Sequence, residues 1–133
     1  MTGQAQTVRA TKAEAKRFLA KAEQFLLGAQ GSLRDGHATN AGLLSVHAAI
    51  SACDALTGHF LGVRSKSQRH QDVLGLLKQL PLENKEGLSR QVRHLLDDKN
   101  VVEYEDKLLL RTEASEMVEL AERIVATCRK SVR

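Results

Sequence analysis

An arginine and a histidine in a basic stretch of the chain have the types and the spacing that phosphate chemistry needs. Arg64 and His70 are separated by five residues, in a segment (62–70) with four basic residues when His70 is charged. A guanidinium can hold a phosphate and an imidazole can move a proton, as a metal-independent ribonuclease requires. Such pairs also arise by chance, so Arg64 and His70 are candidate catalytic residues in what we expect to be an exposed loop.

A second candidate group follows later in the chain, where Lys99 and Asn100 precede Tyr104, the only tyrosine. On a helix Asn100 and Tyr104 share one face, whereas Lys99 and Tyr104 point about 140° apart. One interpretation of Tyr104 is a half-buried ring whose hydroxyl reaches water. The other is a polar cleft to which all three side chains contribute.

A third group, His47, Ser51 and Asp54, lies within the apolar stretch Leu43–Leu61. Successive helical residues turn by about 100°, so the three side chains fall close to one line along the helix. This polar stripe faces either solvent or a polar site between helices. Three residues on one helix rarely reach the geometry of a catalytic triad, so we interpret the stripe as a candidate cleft or binding surface.

Other signatures of catalysis are missing from the sequence. It contains no glycine-rich phosphate loop, no His-Glu-x-x-His, no Cys-x-x-Cys pair and no Gly-x-Ser-x-Gly elbow. We therefore expect no metal site and no cofactor.

Composition and periodicity predict an all-α protein, an up-and-down bundle of about five helices. The 133 residues include one proline and only four aromatic side chains, and no segment alternates as a half-buried strand would. Thr11 and Glu14 form a capping box that starts the first helix, which ends at Asp35-Gly36. The other helices cover about 40–61, 68–79, 83–96 and 112–131. Residues 1–10 are expected to be a flexible leader, and 11–133 a single helical domain.

The charge distribution and the cysteines bear on location and partners. Residues 63–93 carry seven lysines and arginines against three acids, which could steer the protein toward phosphate backbones. A net charge of +4 is nevertheless ordinary for a soluble domain. Cys53 and Cys128 are isolated on predicted helices and are typical of core residues. We expect a cytoplasmic protein without a membrane span.

From about Thr11 to Lys130 the chain resembles the HEPN domain family through an ordered series of segments. KRFLAKAEQFLLGAQ is followed, after a turn, by AGLLSVHAAISACDALTGHFLGVRS, of which AAISACDAL is the most specific piece. RHQDVLGLLKQL and KNVVEYEDKLLLRTEASEMVELAERIVATC complete the series. The resemblance implies an all-α bundle of about five helices, as in prokaryotic toxin–antitoxin and nucleotidyltransferase-associated proteins.

The resemblance also implies where a site would lie. Active members of the family carry Arg-x4–6-His at the start of the final helical segment, and two motifs in a dimer line a cleft that cleaves RNA without metal. Here Lys99 replaces the arginine and Tyr104 the histidine, while Asn100 suits the pattern. Lysine lacks the bidentate fork, and phenols in general lose their proton only near about pH 10, whereas imidazoles do so near neutrality. By the same resemblance, Asp54 could support the Lys99 end of the cleft.

These departures favour a non-catalytic interaction module. We expect a homodimer that binds a partner protein such as a nucleotidyltransferase, or RNA, or both. The alternative is a metal-independent RNA-cleaving toxin that uses Arg64 and His70, or Lys99 and Tyr104.

Overall fold

A computed structural model describes residues 6–67 and 69–132. Over these residues the elements are, in chain order, β1 (Thr7–Arg9), α1 (Lys12–Arg34), α2 (Ala38–Leu61), β2 (Val63–Ser65), α3 (His70–Leu77), α4 (Lys85–Tyr104) and α5 (Arg111–Ser131). The five helices form an all-α bundle, which confirms the fold class predicted from the sequence. The two strands pair as a small antiparallel sheet.

α1 begins and ends where its local sequence predicts. The backbone N–H of Glu14 donates to Oγ1 of Thr11 at 3.0 Å, and the N–H of Thr11 donates to Oε1 of Glu14 at 2.9 Å. This reciprocal capping box satisfies two amides that the helix itself leaves unpaired. Beyond the C-terminal end, Gly36 adopts φ 81°, the left-handed conformation that a residue without Cβ tolerates best.

α2 is the central helix of the bundle. Most of its residues are buried, and α1, α3, α4, α5 and β2 all pack against it. Small residues allow close approach, since a Cβ added at Gly58 would lie 3.2 Å from Cβ of Ala10 and 3.4 Å from Cβ of Ala15. The prediction that the other helices surround this apolar stretch is therefore confirmed.

By length and hydropathy, α2 alone among the helices of residues 6–67 and 69–132 could also cross a membrane. However, 78% of its most apolar window is buried inside the protein. The apolar surface of α2 is thus already used by the bundle core.

The helices pack mainly as antiparallel neighbours. α1 runs against α2, since Gly28 lies beside Leu44 while Ala15 lies beside Gly58. α3 runs against α4, with His70 beside Leu96 and Lys78 beside Lys85. α4 and α5 follow each other as a helical hairpin, so the C-terminal half of α4 lies near the start of α5.

α4 is longer than the sequence predicts. We expected the helix to end near Leu96, but it continues to Tyr104. Val102 is only 8% exposed, and Lys99 pairs with Glu103 one turn away, so packing and an i,i+4 pair both support the last turns. The Lys99–Tyr104 segment therefore ends α4 and does not start the final helix.

The expected flexible leader and exposed loop are partly replaced by the small sheet. Residues 1–5 lie outside the described residues, but Thr7–Arg9 pair with Val63–Ser65. The amide of Ala10 also donates to the carbonyl oxygen of Gly62 at 2.9 Å. Strands of three residues show no periodicity, so only the tertiary pairing of their backbone groups reveals them.

Two helices begin slightly before the predicted ranges. α2 begins at Ala38, where the sequence predicts a start near residue 40, and α5 begins at Arg111, where it predicts a start near residue 112. The hydroxyl of Thr39, in the first turn of α2, accepts a hydrogen bond from the amide of Leu109 at 3.0 Å. It therefore ties the segment before α5 to the first turn of α2.

Candidate functional site

Two of the predicted candidate groups meet in one open groove between α3 and α4. The groove has a volume of about 390 Å³ and is lined by Arg69, His70, Lys99 and Asn100. We call it the Lys99 groove. It forms because the start of α3 packs beside the C-terminal half of α4, so its residues converge only in the folded chain.

His70 fastens α3 to α4 through both ring nitrogens. Nε2 lies 2.6 Å from the carbonyl oxygen of Leu96, and Nδ1 lies 3.3 Å from Oδ1 of Asp97. Carbonyl and carboxylate oxygens only accept hydrogen bonds, so the ring serves both partners only with a proton on each nitrogen. With both contacts made, neither nitrogen is free to act as a base.

Arg69 is engaged with the first turn of its own helix. Its Nε donates to Oδ2 of Asp72 at 3.1 Å, and the hydroxyl of Ser67 donates to the same oxygen at 2.7 Å. The Ser67 hydrogen bond and then the Arg69 guanidinium lower the pKa of Asp72 against the opposing effect of burial. The charge of Arg69 is therefore partly neutralised beside the groove.

Lys99 also has an internal partner. Its Nζ lies 3.6 Å from Oε2 of Glu103, and the two side chains are 19% and 18% exposed. Tyr104 follows at the end of α4, where it is 73% exposed and does not line the groove. The interpretation of Tyr104 as a half-buried ring is therefore wrong, because little of α5 or the following segment covers it.

The charged groups that act on Asp54 lie on α1 and β2, and Lys99 is not among them. Burial raises the pKa of Asp54 to about 6, and the charges of Arg64 and Lys21 offset this effect only in part. The guanidinium carbon of Arg64 lies 5.4 Å from the centre of the Phe18 ring. Arg64 is thus held beside Phe18 and Asp54, and the structure does not bring it together with His70 as a catalytic pair.

The stripe formed by His47, Ser51 and Asp54 faces α1. The His47 ring lies 5.5 Å from the ring of Phe25, and Ser51 is only 6% exposed. The hydrogen bonds found within residues 6–67 and 69–132 include none that joins these three side chains. The stripe lies against aromatic side chains of α1 and forms neither a solvated face nor a triad.

A second groove, which the sequence analysis does not predict, lies between the end of α3 and the start of α4. Its volume is about 440 Å³. We call it the basic groove; its lining residues are Lys78, Lys85, Glu86, Ser89, Arg90 and Arg93. The sequence feature that could have identified this groove is the excess of basic residues over 78–93, where four lysines and arginines stand against two acids on both sides of the turn at Pro81.

A cavity of about 290 Å³ between α4 and α5 is acidic instead. Its walls include His94, Asp98, Glu113 and Glu116, and burial, together with the neighbouring carboxylates, raises the pKa of Asp98 against the charge of His94. His94 and Asp98 stand four residues apart, a spacing that could have identified the pair from the sequence. Within the described ranges, no three histidine, cysteine or acidic side chains gather as metal ligands.

Comparison with known proteins gives a family and a fold. A family model described as HEPN domain matches residues 15–131. The chain is also similar to the crystal structure of TT1696 from Thermus thermophilus, with a TM-score of 0.70 and 27% sequence identity. That similarity covers 88% of this chain and 97% of the other. No curated protein matches the chain.

Proposed function

This chain belongs to the HEPN domain family, and from that premise we propose that it is a non-catalytic interaction module. It acts as a homodimer in the cytoplasm. It binds a partner protein of the toxin–antitoxin or nucleotidyltransferase-associated kind, or RNA, or both.

The proposal rests on the observation that the basic side chains of the Lys99 groove already have partners within the protein. Lys99 is paired with Glu103, Arg69 with Asp72, and His70 with both Leu96 and Asp97. Cleavage of a phosphodiester without metal needs a base and an acid that reach the substrate. The groove presents no free imidazole, and the residue at the family's histidine position is an exposed phenol.

Exposed apolar side chains support association between copies. Among the residues that the structure describes, four large apolar side chains are strongly exposed, and three of them, Tyr104, Leu108 and Leu110, lie on one segment. Apolar side chains grouped on a protein surface mark places of association. The end of α4 and the segment before α5 are therefore the proposed dimer contact.

The two thiols support a reducing compartment. Cys53 and Cys128 are both free and buried, and burial raises the pKa of Cys128 to about 12. A thiol in this state is unreactive, so both cysteines serve as core side chains. Free buried thiols of this kind are ordinary in cytoplasmic proteins.

The second candidate function is that of a metal-independent RNA-cleaving toxin. One observation favours it: His70 shares the Lys99 groove with Lys99 and Asn100. An imidazole beside a cation is the pair that phosphodiester cleavage uses. For this function His70 would have to release Leu96 and Asp97 when RNA enters.

An RNA digestion assay tests the proposal directly. Purified protein is incubated with RNA and a chelator, and the oligomeric state of the same sample is measured by light scattering. We expect intact RNA and a dimer. RNA cleavage that is lost in His70→Ala or Tyr104→Phe would establish the toxin function, and a monomer at all concentrations would contradict the homodimer.

A further inference from the structure

The cations of the basic groove have no acidic partners. Nζ of Lys85 donates to the carbonyl oxygen of Lys78 at 3.0 Å, and Arg90 and Arg93 are exposed. None of the ion pairs found over residues 6–67 and 69–132 includes any of these four side chains. Glu86 is the one acid that lines the groove, so four positive charges face one negative charge.

The helices around the groove determine which side chains reach it. Arg90 and Arg93 are three residues apart and therefore project from one side of α4. Nζ of Lys85 donates to the carbonyl oxygen of Lys78, directly after the end of α3, where a cation is favoured by the helix dipole. The groove lies between the C-terminal end of α3 and the N-terminal end of α4, whose dipoles have opposite signs there, so its positive potential comes from the lysine and arginine side chains.

The chemistry of the lining indicates what the groove can hold. All six lining residues are polar or charged, so the apolar surface of the groove comes from the stems of long charged side chains, and no aliphatic or aromatic residue is present to receive an anchoring side chain of a protein partner. A nucleobase would likewise find no aromatic ring on which to stack. Planar guanidinium groups and a hydroxyl, by contrast, suit the oxygens of phosphate.

We infer that the basic groove binds the phosphodiester backbone of a nucleic-acid strand, independently of its base sequence. The inference rests on the part of the proposed function that concerns RNA, and it places RNA binding outside the Lys99 groove. A volume of about 440 Å³, open between two helices, suits a strand that passes along the α3–α4 surface.

The test compares two pairs of substitutions that remove the same charge. Arg90→Gln/Arg93→Gln removes two of the four cations of the basic groove, and Lys12→Gln/Lys16→Gln removes two exposed lysines from α1 as the matched control. Binding of a fluorescein-labelled single-stranded RNA is followed by fluorescence anisotropy over a range of salt concentrations. Loss of two phosphate contacts weakens binding by about tenfold or more at low salt and makes the salt slope shallower by about 1.4. The α1 pair should change affinity by less than about threefold, through the net charge alone.

Additional variants and competitors separate backbone binding from misfolding and from general attraction to anions. Arg90→Lys/Arg93→Lys keeps both charges and should retain most of the affinity, and circular dichroism checks that each variant folds. The inference is contradicted if the wild type shows no salt-dependent RNA binding, or if both glutamine pairs lose the same affinity. It is also contradicted if tripolyphosphate at equal phosphate concentration displaces RNA fully, or if the protein binds anionic vesicles but not RNA.

This experiment separates the inference from the proposed function. The substituted residues do not line the Lys99 groove and do not belong to the proposed dimer contact. A dimer that leaves RNA intact, but binds it equally well with and without Arg90 and Arg93, would refute only the inference that RNA binds in the basic groove. A wild type that cleaves RNA would refute the proposal of a non-catalytic module. RNA binding in the basic groove would still be tested by the affinity of the Arg90 and Arg93 variants.

Discussion

The two grooves along α4 both contain cations, two lysine or arginine side chains in the Lys99 groove and four in the basic groove, and they differ in what those cations touch. In the Lys99 groove, Lys99 and Arg69 are each within 3.6 Å of a carboxylate oxygen. In the basic groove, Arg90 and Arg93 belong to none of the ion pairs of the described chain. One groove has its charge balanced internally and the other leaves its charge for a ligand.

The difference shows that a basic residue adds to a binding surface only where no neighbouring carboxylate neutralises its charge. An exposed ion pair contributes little to stability, but it lowers the local potential that an incoming anion meets. The resemblance to active family members predicts a site at Lys99, whereas the cations without acidic partners lie near the other end of the same helix. Three substitutions test whether internal partners account for the contrast.

The largest effect is expected at Asp54, where charge balance is least complete. Asp54→Asn should raise the free energy of unfolding by about 2 kcal/mol above about pH 7, because burial penalises the charged carboxylate more than Lys21 and Arg64 compensate. Burial raises the pKa of Asp54 to about 6 in the folded protein. Folding therefore favours the protonated carboxyl, whose contribution is complete below about pH 4 and is lost as the pH rises through about 6.

Urea unfolding of wild type and Asp54→Asn across this pH range gives the measurement. The two curves should converge near about pH 4 and separate as the pH rises. Asp106→Asn, in the exposed segment after α4, controls for the loss of one acidic group. A wild type as stable as Asp54→Asn at every pH would show that the two cations fully balance the carboxylate.

The second effect concerns the cost of losing an internal partner in the Lys99 groove. His70→Ala removes both contacts between α3 and α4, and we expect it to lower the free energy of unfolding by about 1 kcal/mol. Arg90→Gln/Arg93→Gln should change that quantity by less than about 0.5 kcal/mol, since these side chains have no partner to lose.

Equilibrium denaturation of both variants at neutral pH makes this comparison. His70→Gln is the intermediate case, because its amide nitrogen can donate to the carbonyl oxygen of Leu96 but the side chain lacks the second ring nitrogen that contacts Asp97. If the arginine pair destabilised the protein as much as His70→Ala does, the cations of the basic groove would be structural and the contrast between the grooves would fail.

The parts of the fold that could be predicted are those set by local sequence. The Thr11–Glu14 capping box, the left-handed Gly36 and the apolar length of α2 each depend on residues within a few turns. The β1–β2 pairing could not be predicted in this way, because it joins residues far apart in the chain. The last turns of α4 were missed because adjacent Val101 and Val102 among charged residues give no helical period.

The candidate site was predictable only as separate pieces. His70 and Lys99 were each identified by their chemistry, but their meeting depends on how α3 packs against α4. Arg64 was assigned to His70 by sequence spacing, whereas the β2 strand holds it beside Phe18. Lys78 and Lys85 flank a turn, and they line a common groove only because α3 and α4 fold back on each other.

The smallest effect is also the most direct test of internal balance. Glu103→Gln removes the partner of Lys99 while keeping the shape of the side chain, so the Lys99 groove should gain one free cation. RNA affinity at low salt should then rise by about threefold, with a slightly steeper salt slope. Glu119→Gln, an exposed acid on α5, measures the effect of net charge alone. Because the two side chains are only 19% and 18% exposed, Glu103→Gln leaves a largely buried cation without its partner, and circular dichroism checks that the variant folds. If Glu103→Gln binds RNA no better than Glu119→Gln, the ion pair with Glu103 is not what prevents Lys99 from attracting RNA. The difference between the two grooves would then be due to burial of the Lys99 side chain.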